Sequence, residues 1–572
     1  MPTISRTPAS HLETSSQVST RSKLLILVGV MLGMLLSSLD QTIVGTAMPR
    51  VIAELGGLEH YAWVATGYML ASTVMVPIWG KLSDLYGRRP FFILGMILFL
   101  LGSALSGTSQ DMVQLIGYRA VQGLGAGAMM PIAQAIIADV FPPAERGKWQ
   151  GLMMAVFGLS TIVGPTAGGF ITDTWGWRWT FYVNLPVGAI AILTAGLVLP
   201  KAVRRAAHRI DYLGSAALIA GTVPLLLALS WGGTTYAWTS VQVLGLFALA
   251  VAMLVAFFAI ERRAAEPIIN PSLFGNRIFA VSVVATFLVS AGMFGAIMYL
   301  PLFMQGVVGD SASGSGVVLT PMMLGFMASS IVGGQILSRT GRYKVLALVG
   351  FAGATLGMFL LSQMDVNAND PLVIRNMVIT GLGIGVMMSL FTIVVQNAFP
   401  FERLGQVTAS LQFFRSIGGT IGLAIFGTVM SNRFASALQS SMPASLTEAI
   451  PPDRLQALQN PQVLLAPQAT EQIQQAFTAM GPQGQALFAQ LIQAIRTSLA
   501  VSITSLFIFG AVAMALGFVV TLFLEEIPLR RSHHTRPVVE VAEDELAEVG
   551  LALAPNEALD LPAERRPAKR VA

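Results

Sequence analysis

Gly80-Lys-Leu-Ser-Asp-Leu-Tyr-Gly-Arg88 and Gly334-Gln-Ile-Leu-Ser-Arg-Thr-Gly-Arg342 share one frame and lie 254 residues apart. Each closes an apolar run. A second pair, Gly123-Leu-Gly-Ala-Gly-Ala-Met-Met130 and Gly381-Leu-Gly-Ile-Gly-Val-Met-Met388, is offset by 258. Similar polar turns follow, Phe141-Pro-Pro-Ala-Glu-Arg146 and Phe399-Pro-Phe-Glu-Arg403. Three ordered matches at nearly constant offset identify an internal repeat. Chance likeness among glycine-rich helices would not keep that order.

The runs around these motifs are long. A transmembrane helix needs roughly 20 apolar residues. Spans are predicted near 24–48, 61–80, 91–109, 112–138, 149–172, 181–199, 212–231, 241–260, 279–304, 316–338, 344–363, 373–398, 404–430 and 498–524. The positive-inside rule tests that count. With a cytoplasmic N-terminus, 26 of the 34 Lys and Arg fall on inner segments and 6 on outer ones. One missed span would scramble the bias. The two left over, Arg119 and Arg415, lie inside spans.

In this count span two maps on ten, four on twelve and five on thirteen. Both copies then run in the same membrane direction, so the repeat is parallel. The expected fold is all-α and integral to the membrane: two parallel six-helix bundles plus two additional transmembrane helices. Residues 1–22 form an N-terminal tail, 23–200 the first bundle and 201–276 the inserted pair. The second bundle takes 277–526 with a long outer loop, 431–497, and 527–572 is expected to be a disordered tail. Parallel six-helix halves suit transporters that rock around a central site.

Composition excludes most other classes. Hydrophobic residues make up 54% and charged residues 11%, with a mean hydropathy of +0.69. A soluble domain carries about 25% charged residues. With no cysteine, disulfides, thiolate metal sites and cysteine nucleophiles are out. The five histidines are scattered, so no metal site and no catalytic group is expected. No Walker loop is present, and no enzyme activity is expected. The first apolar run continues to Pro49, too long for a signal peptide.

The motifs resemble those of the major facilitator superfamily, within its fourteen-span drug:proton antiporter branch. Gly80 to Pro90 is similar to the superfamily's loop between spans two and three. Leu39-Asp-Gln-Thr-Ile-Val-Gly-Thr-Ala-Met-Pro49 resembles the branch's first-span motif. Arg119 with Gln122-Gly123 resembles the fourth-span arginine motif. Gly158-Leu-Ser-Thr-Ile-Val-Gly-Pro-Thr-Ala-Gly-Gly169 resembles the fifth-span motif of antiporters. Trp177-Arg-Trp-Thr-Phe-Tyr-Val-Asn-Leu-Pro186 is similar to a stretch of the fourteen-span branch. The resemblance covers roughly residues 23–526. It implies a proton-coupled exporter of drugs, driven by the proton gradient without a cofactor.

Asp40 lies about 24 Å from the inner end of span one at 1.5 Å per residue. An acid there costs at least about 2.5 kcal/mol in insertion assays, so it should face the bundle interior. A carboxyl at that depth is a candidate to exchange protons and suits a cationic substrate. Arg119 enters span four from the other side and reaches nearly the same depth. An arginine stays charged, so the acid of such a pair must titrate. Arg415 finds no acid in the C-terminal spans. Reaching Asp40, binding an anionic group, contacting lipid phosphate and structural packing all stand open for it.

Asp84, Arg88 and Arg89, with Gly80 and Gly87, are the candidate latch. Asp84 is expected against the positive N-terminal end of span thirteen near Leu404 to Gln406, favouring an outward-open state. Gly158, Gly164, Pro165, Gly168 and Gly169 give a thin, bendable helix face. Tyr68, Phe157, Met293, Phe294, Met298, Tyr299, Phe391, Phe413 and Phe414 are candidates to line an adaptable cavity for apolar cations. Asp139, Asp173 and Glu261 read as caps and loop charges.

The leading expectation is proton-coupled antiport of amphipathic, cationic drugs by alternating access. An exporter of a physiological anion, lipid or metabolite, using Arg415, is the alternative, with a nutrient symporter behind it. The expected setting is the plasma (inner) membrane, multi-pass, with both termini cytoplasmic. Expected partners are a small-molecule substrate and the lipid bilayer, without nucleic acid. A periplasmic adaptor protein is left open, and the monomer is the expected working unit.

Overall fold

The computed structural model describes residues 20–55, 61–199, 210–233, 235–308, 319–443, 446, 475, 477–478 and 482–530. These belong to the first of two units, Met1–Arg531; the second, Ser532–Ala572, lies outside the described residues. The helices of the first half are α1 (Thr20–Leu55), α2 (Tyr61–Tyr86), α3 (Arg88–Gly107), α4 (Met112–Val140), α5 (Pro143–Thr174), α6 (Trp179–Tyr182) and α7 (Asn184–Val198). The inserted pair is α8 (Tyr212–Trp231) and α9 (Val241–Glu261). The second half holds α10 (Arg277–Phe303), α11 (Thr320–Thr340), α12 (Tyr343–Ser362), α13 (Asp370–Ala398), α14 (Leu404–Ser441) and α15 (Pro482–Leu522).

Thirteen described stretches are long and apolar enough to cross a membrane, with α6 and α7 forming one of them. The fourteenth crossing is α2. Its 26 residues, with Pro77 inside, suffice in length. Helices are the forced solution here. Lipid offers backbone groups no hydrogen-bond partner, so each span must satisfy them internally.

The repeat is visible in the packing. In the first half α4 lies between α2 and α3, and α1 packs on α5 and α7. In the second half α13 lies between α11 and α12, and α10 packs on α14 and α15. The glycine after α2 and the one after α11 both take a positive φ, 98° at Gly87 and 70° at Gly341. Only glycine holds that conformation without strain.

The same symmetry closes the two halves against each other, at the ends where most Lys and Arg lie (the basic face). A methyl group on Gly80 of α2 would collide with Ala409 of α14 and crowd the Gly405 carbonyl. A methyl on Gly334 of α11 would collide with the Gly147 carbonyl of α5. Gly80 and Gly334 are repeat mates, and so are Gly405 and Gly147. Small residues let these backbones touch.

The structure adds detail to three expectations. The sixth span is broken at Val183, between α6 and α7. Pro186 has no N–H to offer the preceding turn, which fits an interruption there. The outer segment expected at 431–497 is helical at both ends: α14 continues to Ser441 and α15 starts at Pro482. Phe434, Leu438 and Leu446 are buried with Leu491 and Ile495, so these extensions share the apolar core. Helical stretches are expected within this segment near 453–460, 467–479 and 484–497: the last lies in α15, whereas 453–460 and most of 467–479 lie outside the described residues. The tail is also held at its start. Tyr343 donates its hydroxyl to the Glu525 carbonyl at 2.7 Å and accepts from the Ile527 N–H at 2.6 Å. Asn397 pairs with the Pro528 carbonyl and the Arg530 N–H, and the Arg530 carbonyl accepts from Ala144 N–H of α5. The segment thus crosses from one half to the other.

A valine at Gly334 should force the basic face apart. A cysteine replacing Gln150, which is 1% exposed there, should be protected from a bulky maleimide in the parent and react at least ~10-fold faster in the Gly334→Val background, as expected when about 1.4 kcal/mol of closure is lost. The chain has no cysteine to confuse the assay. Unchanged protection would show that this crossing does not hold the halves together.

Candidate functional site: a buried carboxylate inside the first bundle

Asp40 is fully buried, and both of its oxygens are engaged. Oδ2 accepts from Arg119 Nη1 at 2.6 Å. Oδ1 accepts from Gln122 Nε2 at 2.9 Å and from Asn184 Nδ2 at 2.8 Å. Arg119 also donates to Gln122 Oε1 at 2.6 Å. Its guanidinium lies 4.3 Å from the ring centre of Tyr68 and 5.9 Å from that of Phe181. Asn184 donates further to the Ser103 hydroxyl at 3.0 Å, and Ser103 donates to the Phe181 carbonyl at 2.9 Å. One carboxylate therefore ties α1 to α4 and α7, with α3 behind them and α2 capping the pair.

The local sequence explains the placement. Arg119 and Gln122 are three apart on α4 and share a face. The break at Val183 brings Asn184 to the first position of α7, opposite Asp40. A charge in lipid must be paired and hydrogen-bonded, and each member of this cluster answers that demand. The site lies within the first bundle rather than between the halves. One connection to the other bundle runs through α1 and α5. Ser38 donates to the Ser160 hydroxyl at 2.7 Å, and Thr42 donates to the Ser160 carbonyl at 3.1 Å.

α5 carries the glycine motif on two faces. Gly164 and Gly168 pack against Thr42 and Thr46 of α1, whereas Gly158 faces Met327 of α11. Gly169 has open space beside it. Pro165 gives Thr161 no N–H, which leaves the helix softer there. The motif therefore joins the helix of the acid to the helix that closes on the other half.

At the basic face Asp84 spans the halves. It accepts from Gly405 N–H at 3.0 Å and Gln406 N–H at 2.6 Å, at the start of α14. These are backbone donors left free at a helix N-terminus. Arg88 pairs with Asp84 and reaches Asp139 at 3.0 Å. Arg89 turns elsewhere, donating to the Leu199 carbonyl at 3.4 Å. Gln406 also donates to the Pro267 and Ile268 carbonyls, so the segment after α9 docks on the same latch. Lys81 pairs with Glu266 beside it at 2.5 Å.

A second bridge joins the halves through neutral amides. Gln150 of α5 donates to Gln396 of α13 at 3.1 Å, and Gln396 donates to Thr408 of α14 at 2.9 Å. Buried amides in apolar spans were the available signal. Asn184 lies within the Trp177–Pro186 stretch without standing out from it, and Ser103 carries no sequence signal.

The expected cavity residues scatter. Tyr68 belongs to the Arg119 pair. Phe391 is buried with its ring 6.1 Å from Phe351. Phe413 and Phe414 are in ring contact at 5.5 Å, and Phe413 shares a buried cluster with Val76 of α2. Met293 is buried, Phe294 packs on Gly419, and Phe157 and Tyr299 are half-buried. Met298 is 61% exposed on the outside of α10. Asp139 pairs with Arg88, Asp173 with Arg50, and Glu261 is buried and accepts from Ile268 N–H.

Comparison with known proteins places this geometry in context. The model of the Major Facilitator Superfamily matches residues 30–423. The multidrug transporter protein MdtP of Bacillus subtilis is 41% identical over 526 residues, covering 90% of this chain and 95% of that protein. Multidrug resistance protein 3 of the same organism is 37% identical over 511 residues, covering 89% and 96%. Among solved structures, the proton:xylose symporter XylE aligns with a TM-score of 0.56 at 14% identity, covering 89% of this chain and 98% of that one. The human organic anion transporter MFSD10 aligns with a TM-score of 0.55 at 14% identity, covering 86% and 99%. At that identity the two structures speak for the fold alone.

Removing one partner of the buried pair should leave the other charge stranded, at a cost of roughly 3–5 kcal/mol. Asp40→Ala should therefore lower the melting temperature of the purified protein sharply. Arg119→Gln combined with Asp40→Asn should recover most of the loss. Asn184→Leu should cost about 1–3 kcal/mol. A wild-type melting temperature for Asp40→Ala would show that the pair does not support the bundle.

Proposed function

Because the chain belongs to the Major Facilitator Superfamily, we propose that it is a proton-coupled antiporter that exports amphipathic, cationic small molecules by alternating access. The family and the multidrug relatives make it a multi-pass membrane transporter of the efflux type. The coupling and the substrate class are this reading's own. The observation that carries it is the Asp40 carboxylate, the one acid at mid-depth among the described spans, accepting from three donors on two other helices.

Charged Asp40 accepts from Arg119, Gln122 and Asn184 together. A proton placed on it occupies one oxygen and removes the charge that Arg119 needs. The tie between α1, α4 and α7 then slackens. α1 passes the movement through Ser38 and Thr42 to α5, whose other face meets α11. With the basic face closed by Asp84 and the two glycine crossings, a substrate site between the halves would open to the opposite side. Protonation from that side and release of the latch would reverse the access.

The energies are of the right size. Opening a buried pair costs roughly 3–5 kcal/mol. One proton falling through 100 mV releases about 2.3 kcal/mol, and one pH unit adds about 1.4 kcal/mol. A single proton is therefore nearly sufficient for one step. An arginine could not take this role, because it does not release its proton.

Purified protein in liposomes with an imposed pH gradient should move a cationic dye. Asp40→Asn, which keeps the size of the side chain but can neither carry the charge nor exchange a proton, should lose gradient-driven flux by at least ~10-fold, equivalent to about 1.4 kcal/mol of coupling. Full gradient-driven flux in that variant would remove Asp40 from the mechanism.

A further inference from the structure

Three charged side chains lie at mid-depth in the described spans, and Asp40 and Arg119 answer each other. The third, Arg415 of α14, is 4% exposed and has no acidic partner among the described residues. It lies about 16 Å along α14 from Leu404 at 1.5 Å per residue, near the membrane midplane. Its Nη2 donates to the Met388 carbonyl at 3.2 Å and the Thr392 hydroxyl at 3.3 Å, both on α13. Nε and Nη1 are buried with no partner among the described residues. One turn earlier, the buried Oε1 of Gln412 is also unpaired.

The place is as telling as the missing partners. α14 packs against α2 and α4, and α13 against α5, so both helices that frame Arg415 face the other half. The Gln150–Gln396–Thr408 bridge occupies the same α13–α14 seam toward the basic face. Thr392 is one turn from Gln396, and Arg415 is two turns from Thr408. A polar seam thus climbs between the halves and ends on a guanidinium whose Nε and Nη1 have no partner among the described residues. Arginine cannot shed its charge, and an unpaired buried charge is costly. A bound anion would supply the missing counter-charge.

We propose that Arg415 is an anion-binding subsite, taking a carboxylate, sulfonate or phosphate oxygen of an amphipathic ligand at the midplane. The inference rests on the transport reading above and widens it: compounds with an anionic group, and zwitterions, join the cations as substrates. Thr392 and Met388 hold the guanidinium in place, and Nε and Nη1 offer the free N–H donors. The anionic group comes from a transported molecule or from a lipid headgroup.

The test uses two dyes built on one ring system, fluorescein as the anion and rhodamine 6G as the cation. Binding to the purified full-length chain is read by fluorescence anisotropy, and pH-gradient-driven flux in phosphatidylcholine vesicles. Arg415→Gln should weaken fluorescein binding by at least ~10-fold, as expected for loss of a charged hydrogen bond, and leave rhodamine 6G within about twofold. Arg415→Lys should fall between. Phosphatidylglycerol that displaces fluorescein from wild type, with its own binding lost in Arg415→Gln, would assign the anion to lipid. Fluorescein flux that disappears with Arg415→Gln would assign it to substrate. Equal weakening of both dyes with a lowered melting temperature would make Arg415 structural and overturn the proposal. So would the absence of saturable binding of both fluorescein and phosphatidylglycerol by wild type. Arg415-dependent fluorescein binding without flux of either dye would leave the subsite standing and refute the transport reading.

Discussion

A carboxylate in the middle of a membrane must be answered, and the answer organises the first bundle. Asp40 draws in Arg119 and Gln122 from α4 and Asn184 from the start of α7. Asn184 in turn engages Ser103 of α3. Five helices, counting α2 through Tyr68, therefore meet at one charge. An apolar core of Leu and Ile would hold the same helices without preferring any one arrangement over a small slide. A paired charge in low dielectric prefers one strongly. That preference is what a proton can remove.

The closure of the halves rests on a different principle. Glycine and small residues bring backbones into direct contact at two symmetry-related crossings, α2 on α14 and α5 on α11. Polar bridges then add direction. Asp84 takes the free N–H groups at the start of α14, and Gln396 joins α5 to α14. Glycine contacts are all-or-none, because a gap of even an ångström forfeits much of the dispersion energy. Hydrogen bonds to a helix terminus are lost and remade readily in the presence of water. Such a pairing suits an interface that must open and close as a unit. The inserted α8–α9 pair joins in through Lys81–Glu266 and the carbonyls before Asn270.

The fold was legible because lipid makes strong demands on sequence. Every span must be long and apolar, and basic residues must sort to one side. The count of fourteen and the six-two-six division follow from those demands and the repeat. The departures have local causes. The sixth span breaks before Pro186, where an N–H is missing, and apolar patterning does not register one absent hydrogen bond. α14 and α15 outrun their apolar cores because Phe434, Leu438, Leu491 and Ile495 pack on one another. The segment after Glu525 is ordered because its backbone finds Tyr343 and Asn397, and nothing in its mixed composition signals that.

The candidate site divides in the same way. Asp40 and Arg119 stand out in the sequence because a charge in an apolar run is conspicuous, and their similar depths suggest a pair. Neutral groups do not stand out: Gln122 sits within a glycine-rich motif, and Asn184 and Ser103 look like ordinary polar residues at span ends. Only the tertiary structure brings them to the carboxylate, since hydrogen bonding depends on direction and helix rotation, which spacing along the chain leaves free. Arg415 shows the limit in reverse. Its sequence leaves four roles open, and the folded chain removes the one that needs Asp40, whose oxygens are engaged by Arg119, Gln122 and Asn184. Fourteen spans, a parallel repeat and two conspicuous charges were determined by the sequence itself, because the membrane penalises every alternative. The tertiary structure decided that the acid is enclosed within one half and that Arg415 has no acidic partner among the described residues, on a helix that faces the other half, because only packing in three dimensions determines which charges meet.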